Sequence, residues 1–508
     1  MKKNIFLSLL TLSLALGFTS CNEDDLLLDS PNNLTDTNFY STEEDFDIAL
    51  KGVYDGFKSS GFYGGSSNAR DMIIVGDLLS DNLVFNPTGR RTNYASSYFN
   101  YNSNTTPTDV YQNGYVIISN ANKILSKIGN LPDGAAKERI IAEAKALRAI
   151  AHFEIAKSYA QIPTQSANAA NTLGIPYIDV FDYTAQPSRE SKIGDVYTKL
   201  LADLEEALPK ITTATYPGAG IVSSNAFYRL NQTSLRGIMS KIYLYAGNYA
   251  KVIEHATPVV NTVSPTNKTS LASFWKTETN QGALIVFPFF KTNDLQLGTN
   301  YSQGTSQANY RFEYNVDKEL YDLFNPTTES ERLNASILTT KATAYDGDNL
   351  QNVVAKYMLN RNGYNGGVND GRYLRVEDVI LTLAEAQYLN GNQANALATL
   401  NKLRDARYTS YTGGETGDAL FEAIITERRK ELAFEGDRFY TIKRLMGVSG
   451  IPAKYAQGLK RAGNGYRADG TGTVSSVLTL APSSHLWQFP IPQAIVNIDT
   501  NVGQTPGY

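Results

Sequence analysis

Two stretches of the chain repeat one design, and this repetition restricts the possible folds more than any other feature of the sequence. In each stretch, a helix-forming segment that contains Tyr-Leu ends at Gly-Asn, and a second helix-forming segment follows. The first stretch, 224–261, divides at Gly247, and the second, 373–406, divides at Gly391. Glycine favours such a turn because it adopts positive φ angles without steric cost. We therefore predict two helical hairpins.

Hairpins of this length match the tetratricopeptide period of about 34 residues. One hairpin cannot bury its apolar face alone, so several must stack. Apolar residues at helical spacing predict further helices within 110–160, at 192–209 and at 418–446. The predicted fold class is therefore mainly α, with a tetratricopeptide-like helical scaffold over about 110–261 and 373–446.

Two other parts of the chain lack a helical period. Residues 59–108 are rich in Ser, Asn, Gly, Thr and Tyr, and residues 262–372 mix a strand-like run at 283–287 with turns and Asn/Gly stretches. Long ordered loops on a rigid scaffold are usually functional. We therefore expect an irregular, mixed second part with long loops, and we expect 59–108 and 262–372 to face a ligand.

The N-terminus has the plan of a lipoprotein signal peptide. Two lysines within 1–3 precede an apolar run at 5–18, which is shorter than the roughly 20 residues that span a bilayer. Residues 18–21, Phe-Thr-Ser-Cys, resemble a lipobox in which Phe replaces the usual Leu, and Cys21 is the only cysteine of the chain. We therefore expect a signal peptide at 1–20 and acyl chains such as palmitate on Cys21. The alternative is an ordinary secretory signal that contains a cysteine.

An acidic run follows Cys21 and indicates where the lipoprotein goes. Residues 22–25, Asn-Glu-Asp-Asp, resemble the signal that exports lipoproteins to the cell surface in some Gram-negative bacteria, and a polar tether is the alternative. No later segment has 18 uninterrupted apolar residues. We therefore expect a lipid-anchored protein at the cell surface, with the domain 21–508 outside the bilayer.

Charge and composition exclude several function classes. With 46 basic and 50 acidic residues the net charge is −4, so no nucleic-acid partner is expected. One cysteine and three distant histidines cannot form a local metal site, and we expect neither a metal nor a cofactor. The chain lacks G-x-S-x-G, P-loop and H-E-x-x-H motifs, so no catalytic residue is predicted. A surface glycosidase stays an alternative because two carboxylates can meet only in the fold.

The densest charged motif is 427–439, which reads E-R-R-K-E-L-A-F-E-G-D-R-F. Glu427 and Glu431 share one face of a helix. Arginine side chains hold carboxylates with two parallel hydrogen bonds, so they can tie neighbouring segments together. We predict an ion-pair network within the scaffold. The alternative is that these carboxylates act as a catalytic acid and base.

This motif and several others together resemble the SusD/RagB family. The C-terminal half of the family shows the same order of motifs, and the opening of the chain, the helix at 143–149 and the C-terminus are similar as well. The matching segments are R-V-E-D-V-I-L at 375–381, A-E-A at 384–386, N-K-L-R at 401–404 with Arg407, E-A-K-A-L-R-A at 143–149, 28–54, P-I-P at 490–492 and Q-T-P-G-Y at 504–508. The departures from the family pattern are Glu377, the order Asp405-Ala406-Arg407, Thr441 and Thr505.

The resemblance implies an outer-membrane lipoprotein that binds nutrients. Its implied partner is a SusC-like TonB-dependent barrel, which the lipoprotein covers as a lid. Ligands of the family are mostly glycans bound in loops by aromatic rings, and some members take oligopeptides. We therefore expect capture of oligosaccharides and their delivery to the barrel, without catalysis. The alternatives are the same role for oligopeptides, a glycosidase, or a structural scaffold.

Candidate ligand residues lie in two aromatic, loop-rich regions, 62–101 and 290–314. A ring that accepts the C–H face of a sugar removes about 40 Å² of apolar surface, which contributes about 1 kcal/mol. Packing under the loops is the alternative for each ring, and both Trp275 and Trp487 are expected to pack in this way. The candidates are Asp81, Asn82, Tyr94, Tyr98, Tyr101, Tyr301, Tyr310 and Arg311.

Overall fold

A computed structural model describes residues 39–64, 70–211, 226–276, 279–289, 297–304, 306–358, 369–474 and 477–508. The predicted signal peptide, the predicted lipidation site at Cys21 and the acidic run all lie outside these residues. The first predicted helix signal lies within them: Thr42 caps a helix, and its hydroxyl and the carboxylate of Asp45 exchange hydrogen bonds with each other's backbone amides.

The described residues form mainly α-helices, as the sequence predicts. In chain order the helices are α1 Glu43–Gly56, α2 Met72–Leu78, α3 Tyr94–Ser97, α4 Val110–Lys127, α5 Ala135–Tyr159, α6 Ile193–Ala207, α7 Gln232–Ala246, α8 Tyr249–Thr262, α9 Leu271–Trp275, α10 Lys318–Asp322, α11 Ser330–Ser336, α12 Thr343–Asp346, α13 Val376–Leu389, α14 Gln393–Asp405, α15 Gly417–Glu431, α16 Arg438–Leu445 and α17 Gln493–Ile498.

The strands are short and form two-stranded antiparallel sheets. They are β1 Leu83–Phe85, β2 Ala283–Phe287, β3 Ser302–Gln303, β4 Arg311–Phe312, β5 Tyr314–Val316, β6 Ile337–Lys341, β7 Leu350–Val354, β8 Gly371–Arg375, β9 Leu459–Lys460 and β10 Thr479–Leu480. The pairs are β1 with β5, β2 with β8, β3 with β4, β6 with β7 and β9 with β10. These strands and long loops make up the irregular second part.

The predicted scaffold is confirmed. Helix α4 packs on α5 and α5 on α6, while α7 with α8 and α13 with α14 form the two predicted hairpins, and α8 joins them by packing on α13. The repeated Gly-Asn turn has the same geometry in both hairpins, since Gly247 and Gly391 have φ angles of 77° and 82°. The side chains of Asn248 and Asn392 then cap the following helices by accepting hydrogen bonds from the backbone amides three residues later. In the repeated dipeptide the glycine therefore makes the turn, and the asparagine begins the next helix.

The helical stretch predicted at 418–446 is divided into two helices in the structure. The chain forms α15, which ends at Glu431, and α16, which begins at Arg438. Between them Phe434 and Gly436 have φ angles of 68° and 78°. A Cβ at Gly436 would lie 2.3 Å from the carbonyl oxygen of Met72. The break therefore results from close packing on α2, which the local sequence pattern does not reveal. In the second hairpin, 373–375 is likewise strand rather than helix, because these residues pair with β2.

A network of buried ion pairs holds the scaffold to the irregular part, as predicted for the charged motif. Its centre is Glu431, whose carboxylate accepts hydrogen bonds from Arg375 and Arg407 at 2.8 Å and lies 3.4 Å from Arg332. Burial alone would raise the pKa of Glu431, but the charges of Arg407 and Arg375 hold it well below its usual range. Further buried pairs are Arg428–Asp437, Arg428–Asp378, Arg444–Glu385 and Lys356–Glu435.

Replacing Glu431 with glutamine (Glu431→Gln) is expected to lower the free energy of unfolding by about 3–5 kcal/mol, because buried guanidinium groups lose their shared counter-charge. The pKa of Glu431 is lowered by folding. Its contribution is therefore present at neutral pH, above the unfolded pKa, and is lost as the pH falls through the folded pKa.

Urea denaturation measures this loss at pH 7 and at decreasing pH. The control is Asp348→Asn at the exposed pair with Lys341, which is expected to unfold like the parent. A loss below about 1 kcal/mol for Glu431→Gln would show that Glu431 does not hold these elements together.

Candidate ligand-binding site

The loop that follows β1 is fixed against β4 and β5. Because β1 pairs with β5, the loop 86–93 starts beside these strands. The Nε and Nη2 atoms of Arg311 donate to the carbonyl oxygens of Thr88 and Gly89 at 2.9 and 3.0 Å. A Cβ at Gly89 would lie 2.7 Å from the carbonyl oxygen of Phe312, so only glycine allows this approach. The loop therefore has a defined position despite its lack of regular structure.

The backbone of this segment is strained. Arg91, Asn93 and Phe99 have φ angles of 64°, 49° and 55°, which non-glycine residues seldom adopt. Conformations of this kind cost roughly 1–3 kcal/mol each and occur mostly at functional sites. Asn93 precedes α3, and its Oδ1 accepts a hydrogen bond of 2.6 Å from the Ser96 hydroxyl. The strained residues flank and orient the short helix that carries the next two tyrosines.

Tyr94 in α3 and Tyr98 directly after it pack beside buried aromatic rings. The ring centroids of Tyr94 and Tyr98 are 4.7 Å apart, and that of Tyr94 is 4.6 Å from Phe85. Phe85 and Tyr314 are buried, whereas Tyr94 is 39% exposed and Tyr98 is half-buried. Burial and the neighbouring Tyr94 raise the pKa of Tyr98, so its hydroxyl stays protonated at neutral pH and can both donate and accept.

A third tyrosine, which is exposed, lies beside Arg311. Tyr345, on α12, is 44% exposed, and the Arg311 guanidinium lies 5.3 Å from its ring centroid. Asp346 on the same helix accepts hydrogen bonds from Arg467 at 2.6 and 3.1 Å. The backbone amide of Thr343 donates to the carbonyl of Gln307. These contacts fix α12 and hold Tyr345 in place.

We call Tyr345, Arg311, Arg91, Tyr94 and Tyr98 the aromatic–arginine surface. Arg91 is exposed, and its guanidinium lies 6.0 Å from the ring centroid of Tyr94. Each end of the surface thus combines an exposed ring with a guanidinium, and the loop joins the two ends. The surface can stack apolar ring faces and donate several hydrogen bonds. Chemically it is suited to binding, and it brings no acid and base together.

Some of the residues predicted to bind a ligand lie in this surface. Tyr94, Tyr98 and Arg311 belong to it, and Tyr310 is half-buried beside it, with its ring 5.3 Å from that of Phe312. Two members were missed. Arg91 has no sequence signal beyond its place in a predicted ligand-facing loop, and Tyr345 lies in the predicted region 262–372 without a distinguishing motif.

Asp81 and Asn82 are placed in the protein interior, which corrects the expectation that a ligand contacts them. The Asp81 carboxylate accepts from Arg438 at 2.7 and 2.8 Å, and Arg429 lies beside it. Burial would raise the pKa of Asp81, but Arg429 and Arg438 hold it well below its usual range. Asn82 donates to Asp77 at 2.7 Å and accepts from Arg429 at 3.0 Å. Both side chains tie the start of β1 to α15 and α16.

Tyr101 and Tyr301 are also buried, which corrects the same expectation for these two rings. Tyr101 lies against Phe489, and its hydroxyl donates to the carbonyl of Leu486. Tyr301 stacks on Tyr357, with ring centroids 5.9 Å apart and an interplanar angle of 5°. Both rings pack under the loops, which was the alternative interpretation of these tyrosines in the sequence. Both tryptophans are buried, as predicted.

The described ranges also lack the features of two other classes of site. No group of three or more His, Cys, Asp or Glu side chains in those ranges could hold a metal ion. Among the same residues, no helix combines the length and the apolar character needed to cross a bilayer.

Comparison with known proteins assigns the chain to a family. A family model described as "SusD family" matches residues 277–508, and another, described as "Starch-binding associating with outer membrane", matches residues 31–244. The chain belongs to the SusD family. Relatives are distant: SusD-like protein P2 of Formosa agariphila is 23% identical over 453 residues, covering 81% of this chain and 85% of that protein. A SusD-like protein of Bacteroides ovatus is 22% identical, and the match covers 90% of this chain and 85% of that protein.

Solved structures share the SusD fold. A SusD superfamily protein of Bacteroides vulgatus has a TM-score of 0.75 at 20% identity, covering 92% of this chain and 99% of its own. A laminarin-binding SusD-like protein has a TM-score of 0.69 at 22% identity, covering 92% of this chain and 100% of its own. The mainly helical, tetratricopeptide-like SusD fold expected from the sequence is therefore confirmed.

Substituting Gly89 with alanine is expected to displace the loop 86–93, because the new methyl group would meet the Phe312 carbonyl at 2.7 Å. Overpacking of this kind costs about 1–3 kcal/mol. The matched control is Gly52→Ala on α1, where a Cβ meets nothing within 4 Å. That change is expected to stabilise the chain by about 0.5–1 kcal/mol. Urea denaturation of both variants gives the comparison, and parental stability for Gly89→Ala would mean that the loop is not seated as described.

Proposed function

We propose that this SusD-family protein captures oligosaccharides on the aromatic–arginine surface and delivers them to a SusC-like TonB-dependent transporter of the outer membrane. In this proposal the chain is held at the cell surface by lipid on Cys21 and catalyses no reaction. The observation that carries the proposal is the pairing of exposed rings with guanidinium groups along a fixed loop. Sugars present apolar C–H faces and ring hydroxyls, and such a surface offers a partner to both.

The expected affinity is modest. Two stacked tyrosines contribute about 2 kcal/mol by removing apolar surface from water. Two or three hydrogen bonds add about 0.5–1.5 kcal/mol each, before the cost of ordering the ligand. A net binding free energy of about 4–5 kcal/mol corresponds to a Kd of about 0.3–1 mM. Such weak capture suits a protein that must release its ligand to a partner.

The comparisons support a glycan, rather than a peptide, as the ligand. One matching family model is described as starch-binding, and one solved SusD-like protein of the same fold is described as laminarin-binding. Oligopeptides are the second candidate ligand, because guanidinium groups also bind the carboxylates of peptides. A glycosidase is less well supported, because the carboxylates of the charged motif are buried and paired with arginines, Glu427 with Arg332 and Glu431 with Arg407.

The proposed anchor and partner rest on the sequence and the family. The lipobox-like residues 18–21 contain the only cysteine, and the family model that matches 31–244 is described as associating with the outer membrane. Several acyl chains on one residue would hold the protein on a membrane permanently, since each buried CH₂ contributes about 0.8 kcal/mol. A protein held in this way would stay beside a transporter in the same membrane.

The binding proposal predicts that Tyr94→Ala and Tyr345→Ala each weaken oligosaccharide binding about fivefold, the equivalent of about 1 kcal/mol per ring. Calorimetric titration of residues 22–508 with panels of oligosaccharides and short peptides measures both the ligand class and the loss. Tyr183→Ala is the matched control, because Tyr183 is 89% exposed and lies outside the surface. Unchanged affinity in both site variants would refute this location, and binding confined to peptides would favour the second candidate.

The anchoring proposal predicts that the full-length chain sediments with outer membranes after expression in a Gram-negative host that exports lipoproteins to its surface. Cys21→Ala is expected to abolish both acyl labelling and this sedimentation, since it removes the only cysteine of the chain. Immunoblots of fractionated cells and metabolic labelling with a palmitate analogue provide the measurements. Equal labelling of parent and variant would show that another residue or no residue carries the anchor.

A further inference from the structure

The charges around the aromatic–arginine surface do not balance. Arg90 beside the surface is neutralised by the buried Glu313 at 2.6 Å, and Arg467 is neutralised by Asp346. Arg91 and Arg311 have no carboxylate within 4.0 Å among the described residues. The surface therefore has two uncompensated positive charges on a chain whose net charge is −4.

Arg311 is held ready to bind an anion. Two of its five N–H groups donate to the carbonyl oxygens of Thr88 and Gly89, and its guanidinium lies over the Tyr345 ring. These contacts fix the plane of the guanidinium and leave its remaining N–H groups for a ligand. A fixed planar guanidinium binds sulfate or carboxylate oxygens through paired, charge-assisted hydrogen bonds.

Arg91, which lies on the loop that Arg311 holds, provides a second cation. It lies two residues after Gly89, has a φ of 64° and places its guanidinium 6.0 Å from the Tyr94 ring centroid. The two cations thus occur in two ring–guanidinium pairs joined by one short piece of backbone. A neutral sugar gains little from cations, and two uncompensated like charges on one surface repel each other. A ligand with anionic groups removes that repulsion and adds attraction.

We propose that the ligand of this surface is an acidic oligosaccharide. Its sulfate or carboxylate groups bind the guanidinium groups of Arg91 and Arg311, while its sugar rings stack on Tyr94 and Tyr345. This inference rests on the proposed function, because it assumes that the aromatic–arginine surface binds oligosaccharides.

The test compares acidic oligosaccharides with neutral ones of the same backbone. Residues 22–508 are titrated calorimetrically at low ionic strength, about 50 mM NaCl, with a sulfated galactan oligosaccharide and its desulfated form. The second pair is an oligogalacturonate and its methyl ester. The acidic member of at least one pair is expected to bind about ten times more tightly than its neutral form, and the pair that shows the difference identifies sulfate or carboxylate. This advantage is expected to shrink as salt is raised, because the attraction is screened.

Variants assign the effect to the two arginines. Arg91→Gln and Arg311→Gln are each expected to reduce the affinity for the acidic ligand about tenfold more than the affinity for its neutral form. Arg311→Gln is expected to weaken the neutral ligand as well, because it removes the hydrogen bonds that hold the loop. Arg311→Lys keeps the charge but not the planar fork, so a smaller loss is expected. Arg236→Gln on α7, outside the surface, is the matched control and should bind like the parent. Circular dichroism verifies that each variant is folded, and Arg91, being exposed, can be changed without disturbing packing.

The outcomes separate this inference from the proposed function. Equal affinity for acidic and neutral members of both pairs would overturn the inference, and the function would stand. Loss of acidic selectivity in Arg236→Gln but not in the two site variants would also overturn it. Failure of all four oligosaccharides to bind would overturn both the inference and the proposed function.

Discussion

One buried carboxylate connects most of the elements on which this structure depends. Glu431 ends α15 and accepts hydrogen bonds from Arg375 at the end of β8 and from Arg407 after α14, with Arg332 of α11 close by. A charge in the interior is tolerated only when partners surround it, so the arginines and Glu431 must come together in one arrangement. The relative positions of the second helical hairpin, the β2–β8 sheet and α15 are thereby coupled.

The same helix also positions the candidate site. On another face of α15, Arg429 binds Asn82 and the backbone of Asp81, and Arg438 of α16 binds the Asp81 carboxylate. These residues immediately precede β1, and the loop 86–93 follows it. The rigid scaffold is therefore linked through a few short contacts to the loop that presents exposed rings and guanidinium groups. Residues that the sequence suggested as ligand contacts prove to be part of this support.

The sequence predicted the parts of the fold that depend on local periodicity. The hairpins at Gly247 and Gly391 follow from helical spacing and from a turn with positive φ, which glycine adopts without steric cost. The ion-pair network was predictable because its charges are concentrated in one segment, 427–439. The break between α15 and α16 was not predictable, because it depends on the approach of Gly436 to Met72, which is distant in sequence.

The candidate site was predictable only in part, because burial of a loop residue depends on what packs over it. Tyr301 and Tyr345 both lie in the irregular part, yet Tyr301 stacks on Tyr357 in the core and Tyr345 is exposed. Local sequence does not distinguish them. In the same way, Asp81 finds its arginine partners more than three hundred residues away along the chain.

The way in which the loop 86–93 is attached has a consequence for how binding preferences evolve. Its backbone is held through main-chain groups: Asn86 donates to the carbonyl of Glu313, and the carbonyls of Thr88 and Gly89 accept from Arg311. The exposed side chain of Arg91 has no part in that attachment. Under the proposed function, a substitution at Arg91 accordingly changes ligand preference while the frame keeps its shape, so that preference and scaffold can evolve separately.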